Sequence, residues 1–328
     1  REEPEAIVRA LDMGNDEVRF SVDQIPAAGG WADYPKGVAW AFLARDLQPM
    51  GLSSVLTSDI PVGAGMSSSA AVELAFAYTW SQLGNFDISR SDLALLCQRA
   101  ENEYVGVNCG IMDQMISACG KAGHAMLLDT RTLEQGHFPM PDGIAIVVAD
   151  SLVRRELANS EYNIRRAQCE QAVSLLKQHL PEIKALRDVS VEDLAQFGQD
   201  LPEVVLKRAR HVVLENARVL QAARLFHQGD SKAVGALMVE AHQSLRDDYE
   251  VSSPELDALV TAAIEVEGCY GARMVGGGFG GCIVALAVED VMAELRDHLA
   301  QSYAARFDKQ PAVYVTRPAD GVAVVTRT

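Results

Sequence analysis

Residues 61–71, PVGAGMSSSAA, constrain the fold of this chain most, because they join a predicted strand to a predicted helix through a glycine turn. Helical periodicity runs over residues 67–83, so the serines open the helix. Gly63 and Gly65 allow the backbone to approach a ligand closely. Free N–H groups and the positive end of the helix dipole then face one point. This geometry suits a phosphate group.

The three serines that open this helix strengthen the prediction of a phosphate site. Their hydroxyls, from Ser67 to Ser69, can donate to phosphate oxygens or join the coordination shell of Mg²⁺. A well-capped helix is the simpler interpretation, but one serine suffices for capping. The segment is not a Walker A loop, because Gly-Lys-Ser/Thr is absent, and it is not the glycine loop of protein kinases.

A second segment, ENEYVGVNCGIMDQ at residues 101–114, supplies carboxylates. Asp113 falls in the first turn of a predicted helix, where it can orient or deprotonate a hydroxyl group. Glu101 lies near the end of the preceding helix, and a loop containing glycine can fold it back toward the serines as a Mg²⁺ ligand. The alternative is that Asp113 only stabilises its helix, as acidic residues in first turns commonly do.

The third segment is GGGFGG at residues 276–281, which leads into a predicted strand. Five glycines around one phenylalanine indicate unusual backbone dihedrals and a close approach by another group. A simple turn needs only one or two glycines. We therefore expect a loop that closes on the ligand.

Weaker features are aromatic or basic. Trp31 and Tyr34 can form an apolar pocket for adenine, and Tyr162 is a further candidate, although single aromatic residues commonly belong to the core. The basic pairs at 154–155 and 165–166 are interpreted as decorating solvated helix faces.

Composition limits the partners of this chain. Its 328 residues carry a formal net charge of −16, which disfavours nonspecific attraction to nucleic acid or an anionic membrane. The sequence contains no apolar run of about 18 residues, no secretory signal pattern and neither C-x-x-C nor H-E-x-x-H. We expect a cytoplasmic monomer with reduced cysteines and without a zinc site.

Periodicity predicts an α+β protein of two domains that join near residues 140–155, with a long helical stretch in the second domain. Predicted strands lie at 9–25, 53–58, 126–128, 144–148, 282–287, 313–316 and 322–325. Predicted helices lie at 37–47, 67–83, 91–104, 111–118, 162–180, 202–227, 231–247, 254–266 and 290–307.

Taken together, these segments resemble the GHMP family of sugar and metabolite kinases. PVGAGMSSSAA resembles the phosphate-binding motif of the family, CGIMDQ at 109–114 its catalytic segment, and GGGFGG its third motif. Further similarities are WADYPKGV at 31–38, SEY at 160–162 and SLRDDYEV at 244–251. The resemblance covers essentially the whole chain.

The resemblance implies a two-domain GHMP fold, with residues 1–145 binding ATP or phosphate and residues 146–328 forming a helix-rich C-terminal domain. It also implies transfer of the γ-phosphoryl group of ATP, with Mg²⁺, to the anomeric hydroxyl of galactose. By position, Asp113 would be the catalytic carboxylate, and Ser69 with Glu101 would bind Mg²⁺. The residues implied for ATP are Trp31, Tyr34, Gly63, Ala64, Gly65, Met66, Ser67, Ser68 and Ser69. The residues implied for the sugar are Gly110, Asp113, Tyr162, Gly277 and Gly278.

The sequence departs from the resemblance at its front. Relatives that act on galactose begin with a G-R-V-N-L-I-G-E-H-T-D-Y type of segment, which this sequence lacks, and the chain begins with Arg1 rather than Met. We expect that a front segment is missing, and with it an Arg that would help to neutralise the transferred group near Asp113. Two alternatives stay open: a kinase for another sugar, such as N-acetylgalactosamine or arabinose, and a noncatalytic sensor that binds galactose and ATP.

Overall fold

A computed structural model of the protein describes residues 4–26, 29–63, 65–154 and 158–325, without the side chains of 158–160 and 162. Helices and strands are mixed in this part of the chain, which confirms the predicted α+β class. The described residues form two compact units. The first unit contains residues up to 62, 66–137 and 318–325, and the second contains residues 63, 65 and 138–317.

The first unit contains a three-stranded sheet in the order β2-β1-β3. Its strands are β1 (Glu5–Ala10), β2 (Asp16–Ser21) and β3 (Leu52–Leu56). Strand β1 pairs antiparallel with β2 and parallel with β3. The single strand predicted over 9–25 is wrong, because Gly14 and Asn15 adopt positive φ angles of 72° and 60° and turn the chain into a hairpin.

The helices of the first unit surround a core that includes Phe42, Trp80 and Leu96. These helices are α1 (Asp33–Leu43), α2 (Ser68–Leu83), α3 (Arg90–Arg99) and α4 (Met112–Cys119). A π-helical segment, Ala100–Val105, follows α3. The helices predicted at 67–83 and 111–118 are confirmed within one residue. The helix predicted from residue 37 begins earlier, because Pro35 fits within the first turn of α1.

A two-stranded sheet of β4 (His124–Leu128) and β5 (Gln135–Pro139) completes the regular structure described for the first part of the chain. The strand predicted at 322–325 is wrong. These residues pair with no strand and lie against α4, where the N–H of Val322 donates to the carbonyl of Ser117 at 2.8 Å. Their apolar composition therefore reflects contact with a helix.

The second unit contains an antiparallel sheet in the order β7-β8-β6-β9. Its strands are β6 (Ile144–Asp150), β7 (Cys269–Met274), β8 (Cys282–Val288) and β9 (Ala312–Thr316). Its helices are α5 (Ala158–Leu176), α6 (Val191–Phe197), α7 (Glu203–His227), α8 (Ser231–Asp247), α9 (Pro254–Glu265) and α10 (Met292–Phe307). Sequence periodicity missed β5, β7 and α6, which are short or interrupted by glycine and charge.

The core of the second unit lies between this sheet and the helices α9 and α10, with Leu256, Leu259, Ile283 and Leu295 fully buried. Burial of such side chains is the main favourable contribution to folding. Within the part of the chain that the structure describes, no helix is both long and apolar enough to cross a membrane.

Candidate active site

The turn before α2 has the backbone geometry that its glycines predicted. Gly63 and Gly65 adopt φ angles of 71° and 75°, and Ser67 adopts 58°, so the left-handed region recurs within five residues. Gly63 and Gly65 are exposed to solvent, and Met66 is half-buried. Ala64 lies outside the described residues. The turn therefore presents its backbone to solvent ahead of a helix.

The start of α2 leaves its N–H groups available. Ser67 precedes the helix, but its side chain makes no capping hydrogen bond, and the N–H of Ala71 is the first to bond back, to the carbonyl of Ser67 at 3.1 Å. The N–H groups of residues 68–70 therefore have no partner within the helix. This arrangement removes the simpler interpretation that the serines only cap α2 and leaves a group of donors for an anion.

Ser69 and the two predicted carboxylates lie together in the first unit. The Ser69 side chain is hydrogen-bonded to the carboxylate of Glu101, and Asp113 is close enough for its charge to raise the pKa of Glu101. Burial contributes more to that raised pKa, and hydrogen bonds from Cys109, Ser69 and Gln114 oppose it. The hydroxyl and both carboxylates therefore lie near one another in the first unit.

Two local features place Glu101 and Asp113. The wider turn of the π-helical segment allows the N–H groups of Gly106 and Val107 both to reach the carbonyl of Glu101, at 2.9 and 3.0 Å. Asp113 lies in the first turn of α4, as predicted. Gly110, just before this helix, is exposed, and the space beside its Cα is open.

Glu73 and Gln114 form a buried contact that the sequence did not indicate. Gln114 Nε2 donates to Glu101 Oε2 at 2.6 Å and to Glu73 Oε2 at 3.2 Å. Glu73 is 0% exposed, and burial, with a smaller contribution from the charge of Glu101, raises its pKa to about 9. The only available signal was a single charge within the apolar stretch of α2, and Glu73 is 41 residues from its partner.

The two aromatic residues predicted to lie near adenine have different surroundings. Tyr34 is half-buried in α1, and its pKa is raised first by burial and then by the charges of Glu101 and Glu73. The indole N–H of Trp31 donates to Asp16 Oδ2 at 2.9 Å. Their role toward adenine stays a prediction.

In the second unit, the 276–281 loop is as unusual as its glycines predicted. Gly276, Gly278, Phe279, Gly280 and Gly281 have positive φ angles between 61° and 135°. A Cβ on Gly278 would collide with the carbonyl of residue 251, and a Cβ on Gly280 with that of residue 153. The close approach at these two positions is thus made by the chain's own backbone. The space around Gly277 is open.

Arg154 corrects the interpretation of the first basic pair. It follows β6 in a loop rather than on a helix, and its guanidinium donates to Asp150 Oδ1 at 2.8 Å and Oδ2 at 2.6 Å. Its Nε lies 3.8 Å from the point that a Cβ on Gly63 would occupy. The ion pair of Arg154 and Asp150 therefore lies next to Gly63. Arg155 lies outside the described residues.

Arg165 corrects the second basic pair. This side chain is buried, at 8% exposure for the residue, whereas Arg166 is exposed and pairs with Glu170 as predicted for a solvated helix face. Tyr162 lies on the same helix, α5, but its side chain is outside the description. Its contact with a sugar therefore stays a prediction.

The donors Ser69 and Glu101 fit a magnesium ion. The described residues contain no group of three or more His, Cys, Asp or Glu side chains that could hold a metal ion by themselves. Mg²⁺ at nucleotide sites commonly takes one or two protein oxygens and completes its shell with phosphates and water. A hydroxyl and one carboxylate match that requirement.

This chain is similar to known proteins over most of its length. The family model for the N-terminal domain of GHMP kinases matches residues 33–121, and the model for the C-terminal domain matches residues 222–305. A galactokinase of Roseiflexus sp. (strain RS-1) is 47% identical over 97% of this chain and 81% of its own length. A galactokinase of Chloroflexus aggregans is 47% identical over 99% of this chain and 84% of its own length.

Solved structures agree as well. The crystal structure of Lactococcus lactis galactokinase complexed with galactose matches with a TM-score of 0.92 and 32% identity, over 98% of this chain and 84% of that one. A homoserine kinase from Cytophaga hutchinsonii matches at 17% identity with a TM-score of 0.60, over 97% of this chain and 86% of that one, and shares the fold alone. The family models, the curated relatives and the solved structures thus place this chain in the galactokinase family of the GHMP kinases.

Proposed function

We propose that this chain transfers the γ-phosphoryl group of ATP to the C1 hydroxyl of galactose, giving galactose 1-phosphate and ADP. The observation that carries the proposal is the grouping of Ser69, Glu101 and Asp113 beside the uncapped start of α2. Phosphoryl transfer depends chiefly on positioning and charge stabilisation, and this grouping supplies donors for phosphate, oxygens for a cation and a carboxylate for a hydroxyl.

In this proposal, Asp113 orients the sugar hydroxyl for in-line attack and accepts its proton. Ser69 and Glu101 would hold Mg²⁺, which would neutralise charge on the phosphates. The N–H groups of residues 68–70 bind phosphate oxygens.

The remaining ligand contacts rest on the family resemblance. ATP would contact Trp31, Tyr34 and the turn from Gly63 through Ala64, Gly65, Met66, Ser67 and Ser68 to Ser69. Galactose would contact Gly110, Asp113, Tyr162, Gly277 and Gly278. The galactose in the Lactococcus lactis structure supports this choice of sugar.

The proposal also includes a monomeric enzyme in the cytoplasm, without a nucleic-acid or membrane partner. All six cysteines are free, which is typical of a reducing compartment. The net charge of −16 opposes binding to polyanions.

The test is galactose-dependent release of ADP from MgATP. It is measured for this chain and for a chimera that carries the N-terminal part of the Roseiflexus galactokinase ahead of it, with galactose, N-acetylgalactosamine and arabinose as competing substrates. We expect galactose to give the highest kcat/KM in at least one of the two proteins. A higher kcat/KM for another sugar would overturn the choice of substrate. Binding of ATP and galactose without ADP release in either protein would identify a sensor.

A further inference from the structure

Arg165 makes contacts that a solvated arginine does not make. From α5, its Nε donates to the carbonyl of Tyr249 at 2.7 Å and its Nη2 donates to the carbonyl of Glu250 at 2.9 Å. Its Nη1 reaches Glu161 Oε2, one turn earlier on the helix, at 3.2 Å. Because the guanidinium fork is rigid, two bonds to successive carbonyls fix the distance and the orientation between α5 and the 248–251 turn that follows α8.

The 248–251 turn is hydrogen-bonded to the 276–281 loop. The carbonyl of Val251 accepts the N–H of Phe279 at 2.7 Å, and Gly278 packs so closely on that carbonyl that a Cβ would collide with it. The Arg165 guanidinium also lies over the Phe279 ring, with 5.9 Å between its Cζ and the ring centroid. Arg165 therefore contacts both the turn and the loop that is hydrogen-bonded to it.

A second arginine, Arg208 of α7, contacts the same turn. Arg208 donates to the carbonyl of Asp248 and, through Nη2, to the carboxylate of Glu250 at 2.7 Å, and its Nε donates to Gln168 of α5 at 2.9 Å. Glu250 has a φ angle of 54°, a conformation that residues with side chains rarely adopt. Such a conformation persists only where surrounding contacts impose it. The two arginines supply those contacts.

We propose that Arg165 is a positioning residue that holds the 276–281 loop in its sugar-binding conformation through the 248–251 turn. The inference rests on the proposed function, because Gly277 and Gly278 are expected to contact galactose. Arg165 also lies three residues after Tyr162, about one helical turn away. The same helix would therefore position both the predicted sugar contact, Tyr162, and the arginine that contacts the turn and the loop.

The test compares Arg165→Gln, Arg165→Lys and Arg166→Gln. Arg166→Gln is the matched control, because it removes an adjacent guanidinium on the same helix whose partner, Glu170, is also exposed. Hydrogen exchange of the loop amides is measured in the protein without substrate, and the KM values for galactose and ATP are measured separately in whichever form of the protein is active.

For Arg165→Gln, we expect hydrogen exchange at the Phe279 amide to become at least about tenfold faster, while exchange in α9 and β8 stays unchanged. We also expect the KM for galactose to rise about tenfold, with a smaller change in kcat. Arg165→Lys should recover part of both effects, since it keeps the charge but not the fork. Arg166→Gln should behave as the unsubstituted protein.

Three results would overturn the inference: unchanged exchange at Phe279 in Arg165→Gln, faster exchange throughout the second unit in both Arg165 variants, or a loosened loop with an unchanged KM for galactose. The first two results concern the loop itself and need no substrate. Failure of the proposed function is recognised separately, because the unsubstituted protein and the chimera would then not phosphorylate galactose.

Discussion

Replacing Glu73 by Gln should stabilise the first unit at neutral pH. Glu73 is 0% exposed, and its pKa rises from 4.5 to about 9 on folding, chiefly because burial disfavours the charged form. Between these two values the unfolded chain has released the proton and the folded chain still holds it. The free energy of unfolding therefore decreases by about 1.4 kcal/mol for each pH unit in this window.

The magnitude follows from that slope. Below pH 4.5 Glu73 is protonated in both states and does not change the free energy of unfolding with pH. Relative to that plateau, its titration lowers the free energy of unfolding by about 3 kcal/mol at pH 7 and by about 6 kcal/mol at pH 9. Glu73→Gln removes this dependence, because an amide does not titrate. The N–H groups that the amide introduces cost about 1 kcal/mol at every pH if they find no acceptor, because Glu73 Oε1 lies where the described structure offers no hydrogen-bond partner. We therefore expect a net stabilisation of about 2 kcal/mol at pH 7.

Tryptophan fluorescence during urea unfolding measures this difference. All three tryptophans, Trp31, Trp40 and Trp80, belong to the first unit, so the signal reports the unit that contains Glu73. Titrations run from pH 5 to pH 8.5 without metal or nucleotide. Glu103→Gln, an isosteric change at an exposed carboxylate of the first unit, is the control. Equal pH slopes for Glu73→Gln and the unsubstituted protein would refute the reasoning.

Three further changes test other parts of the account. Asp113→Asn should lower kcat by about 10²–10⁴-fold while the Kd for ATP changes little, and unchanged turnover would remove Asp113 from its proposed role. Gly280→Ala should destabilise the second unit by about 1–3 kcal/mol, because φ is 135° and the Cβ would meet a carbonyl, whereas Gly277→Ala meets open space; equal melting temperatures would contradict this difference. The pKa of the Cys109 thiol, raised chiefly by burial to about 12, should make its alkylation at pH 8 about a thousandfold slower than that of a free thiol, as measured by peptide mass spectrometry.

Local signals in the sequence predicted most helices and the local geometry of the candidate site. The helix that begins at Ser68 and the first-turn position of Asp113 follow from periodicity and from the residues around the helix starts. The fold of Glu101 toward Ser69 was expected from the glycine in the intervening loop. The first two predictions depend on residues that are near one another in the chain, whereas Glu101 and Ser69 are 32 residues apart.

Other contacts between distant residues were not predicted, because no local pattern indicates them. Gln114 meets Glu73 across 41 residues, and Arg165 meets Glu250 across 85. Arg165 and Arg166 are adjacent and identical in type, yet Arg165 is buried and donates to backbone carbonyls, whereas Arg166 is exposed to solvent. Which of the two faces the interior depends on the packing of α5, which charge composition does not determine.

In the 276–281 loop, one property was predicted from the sequence and another was not. The close approach inferred from its glycines is present, but at Gly278 and Gly280 the approaching groups are carbonyls of the protein itself. Glycine content indicates that space is needed and does not identify what occupies it.

The most direct test of the central claim is the position of the transferred phosphoryl group. The reaction of MgATP with [1-¹³C]galactose is followed by ¹³C and ³¹P NMR, with this chain and with the chimera. We predict that the labelled C1 signal acquires a coupling to phosphorus as ADP accumulates, and that Asp113→Asn loses this product. ADP formation with an uncoupled C1 signal, from hydrolysis or from transfer to another hydroxyl, would contradict the claim.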